Sequence, residues 1–369
     1  MRILFAFAGG QGHFDPLVPL ARAAAAAGHD VAVAGRADML EAIRERGFEA
    51  ILSPGTAPDP AARMPLKPYD PVDEDRALRE WYAGTLARDR AAALIGIARD
   101  LRADRIVHDE ADFGAAVAAE RLGVGSASVL VILAASFVRP DVVAEPLAAL
   151  RAAHGLTAAA APGAGHGAPG ALVLSPFPPS LRAVPGAIAF RSGDPPAADG
   201  DAVYLTLGTV FNAESGDLFT RALAGVRELG VPVVATTGRQ VDPAELGPQP
   251  PHVRIQRWIP QSELLPWCHA VVSQGGSGIA MGALAHGLPS VLLPVGADQP
   301  HTAAVLESLG AAVVLNPLTA TPVDVAAAVR RVLDEPAFGV AARRVRKELL
   351  ALRSASEAVA ALANGNGAG

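Results

Sequence analysis

The chain is short of cysteine, of charge and of long apolar runs, and each shortage excludes a class of protein. Cys268 is its single cysteine, which excludes an intrachain disulfide and fits a reducing cytosol. A charged fraction of 18% beside 51% hydrophobic residues indicates a globular chain. No apolar run reaches the roughly 18 residues that a transmembrane helix needs. The net charge of −6, without a basic block, argues against nucleic acid or an anionic membrane as partner. We therefore expect a cytoplasmic protein without stable membrane insertion.

Short apolar runs alternate with helical patterns in both halves of the chain, as in α/β proteins with parallel sheets. Its 369 residues are enough for two domains, each with its own core. A segment rich in Pro, Gly and Asp lies between the halves and predicts a linker. We predict a first domain at 1–186, a linker at 187–201, a second domain at 202–345 and a C-terminal helix with a flexible tail at 346–369.

The pattern also predicts individual elements. A long, mostly helical stretch is expected at 73–102 and another at 322–362, whereas 157–170 is of low complexity. The strands expected in the first half are 2–8, 30–34, 50–53, 105–108 and 126–133. Those expected in the second half are 202–206, 232–235, 253–256, 270–273 and 290–294.

His13 follows the first predicted strand and a glycine turn, in the segment AGGQGHFDP. Open α/β sheets bind their ligands at such turns, at the carboxyl ends of strands. A histidine there can remove a proton from a hydroxyl group. It can equally make a structural hydrogen bond at the start of a helix, and residue chemistry alone leaves both interpretations open.

Asp109 stands at the end of the predicted strand 105–108, where a carboxylate could orient a histidine base and stabilise its imidazolium form. Asp112 is the second candidate, although it can instead cap the helix that begins there. The sequence His108-Asp109-Glu110-x-Asp112 contains the residue types of metal ligands. Consecutive residues at a strand end point in different directions, however, so we expect no metal site.

The most informative segment is 258–309. Its predicted strand leads into a glycine-rich turn at 274–278 and then into a helix, whose N-terminus presents free N–H groups and a positive dipole end to an anion. Further along, Asp298 and Gln299 offer a carboxylate and an amide suited to adjacent sugar hydroxyls. A site that holds both a phosphate and a polyol indicates a nucleotide sugar.

The W-x-P-Q segment at 258–261, the glycine turn and the Asp-Gln pair, in this order, resemble the donor-binding signature of GT-B-fold glycosyltransferases. Specifically, the segment resembles the actinobacterial antibiotic and macrolide-type enzymes related to plant UDP-glycosyltransferases. The resemblance implies a GT-B fold of the α/β class, in which two Rossmann-like domains with parallel sheets face an interdomain cleft and the C-terminal helix crosses back to the first domain.

The same resemblance implies an inverting glycosyltransferase that moves a (deoxy)sugar to a hydroxyl of a hydrophobic small-molecule natural product. The donor would be a nucleotide diphosphate sugar, with TDP favoured over UDP, and neither a cofactor nor a metal is expected. We expect a monomer or a homodimer whose partners are the acceptor and the nucleotide sugar.

Site residues follow from the resemblance. The G-H-x-x-P motif makes His13 the catalytic base and Asp109 its partner, while Trp81, Tyr82 and Phe137 would line the acceptor site. The residues expected to bind the donor are Thr209, Trp258, Gln261, Gln274, Gly276, Ser277, Gly278, Asp298 and Gln299.

Three positions depart from the family pattern. Gln274 replaces a histidine at the head of the glycine turn, Ile279 replaces a threonine or serine, and Thr302 replaces the asparagine of D-Q-x-x-N. These changes suggest an unusual donor, weaker donor binding or lost activity. Two alternatives therefore remain: a catalytically weak helper subunit, and a nucleotide-sugar epimerase of the same fold. Intact His13 and Asp109 favour the transferase.

Overall fold

The computed structural model describes residues 1–56, 65–157, 171–208, 215–238 and 241–364. Within these ranges the chain forms two compact units, each built on its own parallel sheet. No helix in this part of the chain is long and apolar enough to cross a membrane. The first unit comprises residues 1–56, 71–157, 171–193 and 352–364, and the second comprises 65–70, 194–208, 215–238 and 241–351.

The sheet of the first unit has eight strands among the described residues. They are β1 (Arg2–Ala6), β2 (Asp30–Gly35), β3 (Glu49–Leu52), β4 (Arg105–Asp109), β5 (Gly125–Val129), β6 (Leu172–Ser175), β7 (Ile188–Arg191) and β14 (Arg353–Ser354). Their order is β14-β7-β6-β5-β4-β1-β2-β3, and every pairing is parallel. The central strand β1 is buried almost throughout because parallel sheets are covered on both faces.

The helices of the first unit cover this sheet. Val359 and Leu362 of the last one lie in the same hydrophobic core as Phe5 of β1. The α-helices are α1 (Gln11–Phe14), α2 (Val18–Ala26), α3 (Leu40–Glu45), α4 (Pro71–Arg76), α5 (Ala87–Leu101), α6 (Phe113–Leu122), α7 (Pro140–Ala153) and α14 (Ala355–Asn364). A π-helix, Ala77–Leu86, joins α4 to α5, and 3₁₀ turns lie at Asp15–Leu17 and Ala37–Met39.

The second unit has a six-stranded parallel sheet among the described residues. Its strands are β8 (Ala202–Thr206), β9 (Val233–Thr236), β10 (Val253–Gln256), β11 (Cys268–Ser273), β12 (Ser290–Leu292) and β13 (Ala312–Val314), in the order β10-β9-β8-β11-β12-β13. Its α-helices are α8 (Leu218–Arg227), α9 (Gln261–Leu264), α10 (Ser277–His286), α11 (Gln299–Ser308), α12 (Pro322–Asp334) and α13 (Pro336–Ala351), with 3₁₀ turns at Pro243–Leu246 and Leu265–Trp267.

Both sheets contain a point at which the strand order reverses. In the first unit, successive strands move outward on one side from β1 and on the other from β4. In the second unit the same happens at β8 and β11. Parallel α/β sheets bind ligands at the carboxyl ends of the strands that flank such a reversal. The order of the strands therefore places one candidate site in each unit.

The structure differs from the sequence prediction around the linker. Ile188–Arg191 pairs with β6 as a strand of the first sheet, so the segment expected as a linker at 187–201 begins inside that sheet. The helical stretch expected at 322–362 is three helices, and residues from 352 onward belong to the first unit. The low-complexity residues 158–170 and the tail from 365 lie outside the described residues.

Candidate functional site

In the first unit, His13 and Asp109 meet at the carboxyl ends of β1 and β4. These strands pair with Ala6 opposite His108, so Asp109 lies just past the end of β1. The chain leaves β1 through a glycine turn and enters α1, which carries His13. Nδ1 of His13 lies 3.2 Å from Oδ2 of Asp109. The structure thus brings together the two residues that the sequence analysis selected.

Asp109 is held by the backbone as well as by His13. Its Oδ2 accepts a hydrogen bond from the N–H of Ala8 at 2.7 Å, and its Oδ1 accepts one from the N–H of Ala111 at 2.6 Å. The carboxylate is fully buried, whereas the side chain of His13 is 22% exposed. The carboxylate is therefore fixed, and the imidazole that contacts it is open to a substrate.

The environment of Asp109 favours its ionised form. Burial alone raises the pKa of a carboxyl group, but the charge of His13 when it is protonated and the hydrogen bonds from the N–H groups of Ala8 and Ala111 outweigh it and hold the pKa of Asp109 below its usual value. A buried carboxylate that stays ionised can orient an imidazole and stabilise its protonated form.

Gly9 makes room for the imidazole. A Cβ at this position would lie 2.2 Å from Cδ2 of His13, far inside van der Waals contact. By contrast, a Cβ on Gly12 would meet nothing within 4 Å. The stacked rings of Phe7 and Phe14, 5.1 Å apart, pack the turn against the core. Gly9 is a site residue that the sequence analysis missed, because only its distance to His13 distinguishes it from the other glycines of the turn.

The neighbours of Asp109 have structural partners. Glu110 forms a buried ion pair with Arg182, and Asp112 forms one with Arg90. Asp112 also accepts a hydrogen bond from Ala115 N–H as the cap of α6, which is the structural interpretation that the sequence analysis left open for it. No group of three metal-ligating side chains comes together in the part of the chain that the structure describes.

In the second unit, the glycine turn joins β11 to α10 beside the end of β8. Gln274 is buried, and its Nε2 would lie 2.3 Å from a Cβ on Gly208 and 2.9 Å from one on Gly276. Gly208 also has a φ of +80°, which favours glycine. The amide of Gln274 therefore lies between two backbone segments that approach it closely. Thr209, the next residue after Gly208 and a predicted phosphate ligand, lies outside the described residues.

The N-terminus of α10 and the loop before α11 are linked by a short hydrogen bond. Ser277 is the first residue of the ten-residue helix α10, and its Oγ donates to Oδ2 of Asp298 at 2.6 Å. A Cβ on Gly278 would meet nothing within 4 Å, so the helix start is open at this point. Helix N–H groups without intrahelical acceptors and a carboxylate thus lie side by side.

The side-chain oxygen of Gln299 is hydrogen-bonded within its own loop. Gln299 is 1% exposed, and its Oε1 accepts hydrogen bonds from the N–H groups of Val295 and Gly296 at 2.8 and 3.3 Å. This oxygen shapes the backbone that carries Asp298. Of the pair selected from the sequence, Asp298 is the more accessible group.

The remaining donor and acceptor candidates differ in exposure. Trp258 is 61% exposed, so it is not a core residue, and Gln261 begins α9 at the surface. Trp81 is exposed on the π-helix, whereas Tyr82 and Phe137 are partly buried against the hydrophobic core of the first unit.

All three departures from the family pattern are buried, and two of them lie inside helices α10 and α11. Ile279 packs in a hydrophobic cluster with Tyr204 and Leu265, and Thr302 is fully buried. These two positions contribute to the packing of α10 and α11. Gln274 is the departure that combines burial with polar chemistry next to the helix N-terminus.

Comparison with known proteins gives matches over the whole chain. A family model described as "Erythromycin biosynthesis protein CIII-like, C-terminal domain" matches residues 220–364. Elloramycin glycosyltransferase ElmGT of Streptomyces olivaceus is 30% identical over 397 residues, covering 98% of this chain and 97% of that protein. The 4'-demethylrebeccamycin synthase of Lentzea aerocolonigenes is 41% identical over 157 residues, which are 42% of this chain and 36% of that protein. The crystal structure of glycosyltransferase VinC in complex with DTDP superposes with a TM-score of 0.76 at 26% identity and covers 99% of both chains.

Proposed function

The chain belongs to the GT-B-fold glycosyltransferases of actinobacterial antibiotic biosynthesis, which transfer sugars to natural-product aglycones, and on this basis we propose that it is an inverting enzyme using a TDP-(deoxy)sugar. The acceptor is a hydroxyl group of a hydrophobic small molecule. The single observation that carries the proposal is the pairing of His13 with the buried carboxyl group of Asp109.

His13 is the general base of the proposed reaction. Its Nδ1 faces Asp109, so the neutral tautomer with a proton on Nδ1 leaves the lone pair of Nε2 for the acceptor hydroxyl. As the hydroxyl oxygen attacks the anomeric carbon, its proton passes to Nε2 and the bond from that carbon to the diphosphate oxygen breaks. A direct displacement of this kind inverts the anomeric configuration. Asp109 stabilises the imidazolium that forms.

The second unit binds the donor in this proposal. The N-terminus of α10 at Ser277 and Gly278, together with Gln274 and Thr209, stabilises the negative charge of the leaving diphosphate. Because the helix terminus supplies this stabilisation, the reaction needs no metal. Trp258 and Gln261 contact the base and ribose, and Asp298 binds sugar hydroxyls. The complex of the similar VinC with DTDP supports thymidine as the base.

The acceptor site is proposed to lie in the first unit. Trp81 presents an exposed indole on a π-helix, a form of helix that is frequent at functional sites. Tyr82 and Phe137 contribute further aromatic surface. An aromatic wall of this kind favours a mostly apolar acceptor.

Calorimetric titration of the purified protein with TDP, UDP and GDP, without added metal, tests the donor site. We expect micromolar binding of TDP and weaker binding of the other two. In Gly278→Phe the new side chain points into open space, so the fold should be kept while TDP binding is lost. Absence of binding to all three nucleotides would contradict the proposal and favour the helper-subunit alternative that the change at Gln274 suggests.

A further inference from the structure

Tyr69 and His301 form a hydrogen-bonded pair within the second unit, although 232 positions separate them in the sequence. The hydroxyl oxygen of Tyr69 lies 3.2 Å from Nε2 of His301. The two rings meet edge to face, with centroids 6.3 Å apart and an interplanar angle of 84°. The pair is therefore held by both polar and aromatic contact.

The segment that carries Tyr69 is packed onto the second unit. Its described residues, 65–70, belong to that unit although they stand between β3 and α4 in the sequence. Leu66 packs against the hydrophobic core of the second unit, and its backbone nitrogen would lie 3.1 Å from a Cβ on Gly216. Apolar packing at Leu66 thus fixes the segment three residues before Tyr69.

His301 stands one helical turn from the sugar-binding carboxylate of the proposed function. Asp298 directly precedes α11 and His301 is the third residue of that helix, so the two residues are three positions apart and lie on the same side of the helix start. Asp298 in turn accepts the hydrogen bond from Ser277 at the start of α10. The N-terminus of α10 is therefore next to Asp298, and Asp298 is next to the Tyr69–His301 pair.

We infer that Tyr69 and His301 form a subsite for the sugar ring of the donor and select among sugars, an inference that rests on the proposed function. A phenol and a neutral imidazole each combine a hydrogen-bond donor and an acceptor with an apolar ring. They can bond a ring hydroxyl while packing on the carbon atoms of a deoxysugar. A nucleoside diphosphate lacks the transferred hexose, so we expect its affinity to be independent of this pair.

Titration calorimetry with TDP and with a panel of TDP-hexoses, including TDP-glucose and TDP-rhamnose, tests this subsite. The variants are Tyr69→Phe and His301→Gln, each of which removes one side of the pair. His252→Gln is the matched control, because His252 directly precedes the edge strand β10 and its imidazole bonds the backbone carbonyl of Arg227, at the edge of the sheet opposite β13. The measured quantity is the affinity for each TDP-sugar relative to the affinity for TDP.

In both variants we expect this ratio to change by about five- to tenfold for at least one sugar, as expected for the loss of one hydrogen bond. The affinity for TDP itself should stay within about twofold of the wild type, which also shows that the variants are folded. Unchanged ratios for all sugars, or equal changes in His252→Gln, would overturn the subsite. Failure of the wild type to bind TDP would instead remove the proposed function on which it rests.

Discussion

At the scale of the residue, the main feature of the first unit is the imidazole of His13 beside the buried carboxylate of Asp109. Residue chemistry alone left the role of His13 open, and the resemblance to the family motif selected His13 and Asp109. Neither could select Gly9, because its importance depends on a distance to His13 that no local pattern contains. Neither could assign Asp112, whose capping bond and ion pair with Arg90 appear only in the folded chain.

Gly9→Ala should lower the rate of sugar transfer by about 100-fold or more, because a misplaced base loses most of the benefit of general base catalysis. The new methyl group would meet the imidazole at 2.2 Å and push it away from Asp109. Gly12→Ala is the matched control, since its methyl group meets nothing within 4 Å. Steady-state kinetics of the two variants, with TDP binding measured in parallel, test this prediction. Equal transfer rates in Gly9→Ala and Gly12→Ala would contradict it.

Asp109 should also make the stability of the protein depend on pH in acid. Because its pKa in the folded state is depressed, its contribution is fully present above the ordinary value of 3.8 and is lost as the pH falls towards the folded-state pKa. Over that interval the free energy of unfolding should fall more steeply in the wild type than in Asp109→Asn, by about 1.4 kcal/mol per pH unit. Urea unfolding at a series of acid pH values measures both slopes, and equal slopes would count against the depressed pKa.

At the scale of the element, the alternation of apolar runs predicted the strands around both sites. β8 and β10 coincide with their predicted ranges. β8 is buried throughout, as expected for a short, mostly apolar run in the middle of a parallel sheet, whereas the edge strand β10 is buried only at Val253. Helix α7 and strands β6 and β7 were not predicted. All three elements stand beside low-complexity or proline-rich sequence. The formation of β6 and β7 depends on pairing with the neighbouring strand more than on local composition.

The start of α6 depends on Asp112, which caps the helix and pairs with the buried Arg90 of α5. Asp112→Ala should lower the free energy of unfolding by about 3–5 kcal/mol, because it leaves a guanidinium buried without its charge partner. Replacing Arg90 by Met in the same chain should recover part of that loss. Urea unfolding of the single and double variants measures both effects, and a double variant less stable than Asp112→Ala would contradict this assignment.

At the scale of the whole molecule, each unit keeps its candidate site at a reversal of strand order. The sequence predicted two α/β domains, whereas the assignment of residues 65–70 to the second unit was hidden. The contact between Tyr69 and His301 joins residues that are 232 positions apart in the sequence. The residues around either position give no indication of such a contact.

The single cysteine offers a probe of the second unit. Cys268 lies in β11, is 1% exposed, and burial raises the pKa of its thiol to about 12. It should react with a thiol reagent only when the second unit unfolds enough to expose β11, and the native unit is the closed form. TDP at about 100 times its Kd should slow that reaction roughly 100-fold, because it stabilises the closed form by about 2.7 kcal/mol. A labelling time course with and without TDP measures this, and fast labelling in the native protein would show that Cys268 is accessible.

The most direct test of the central claim is the anomeric configuration of the product. The protein is incubated with TDP-α-glucose and a panel of hydroxylated aromatic acceptors, and each glycoside formed is analysed by proton NMR. The account predicts β-glycosides only, formed by the wild type and lost in His13→Ala while TDP binding remains. An α-glycoside, or undiminished transfer by His13→Ala, would contradict direct displacement with His13 as the base.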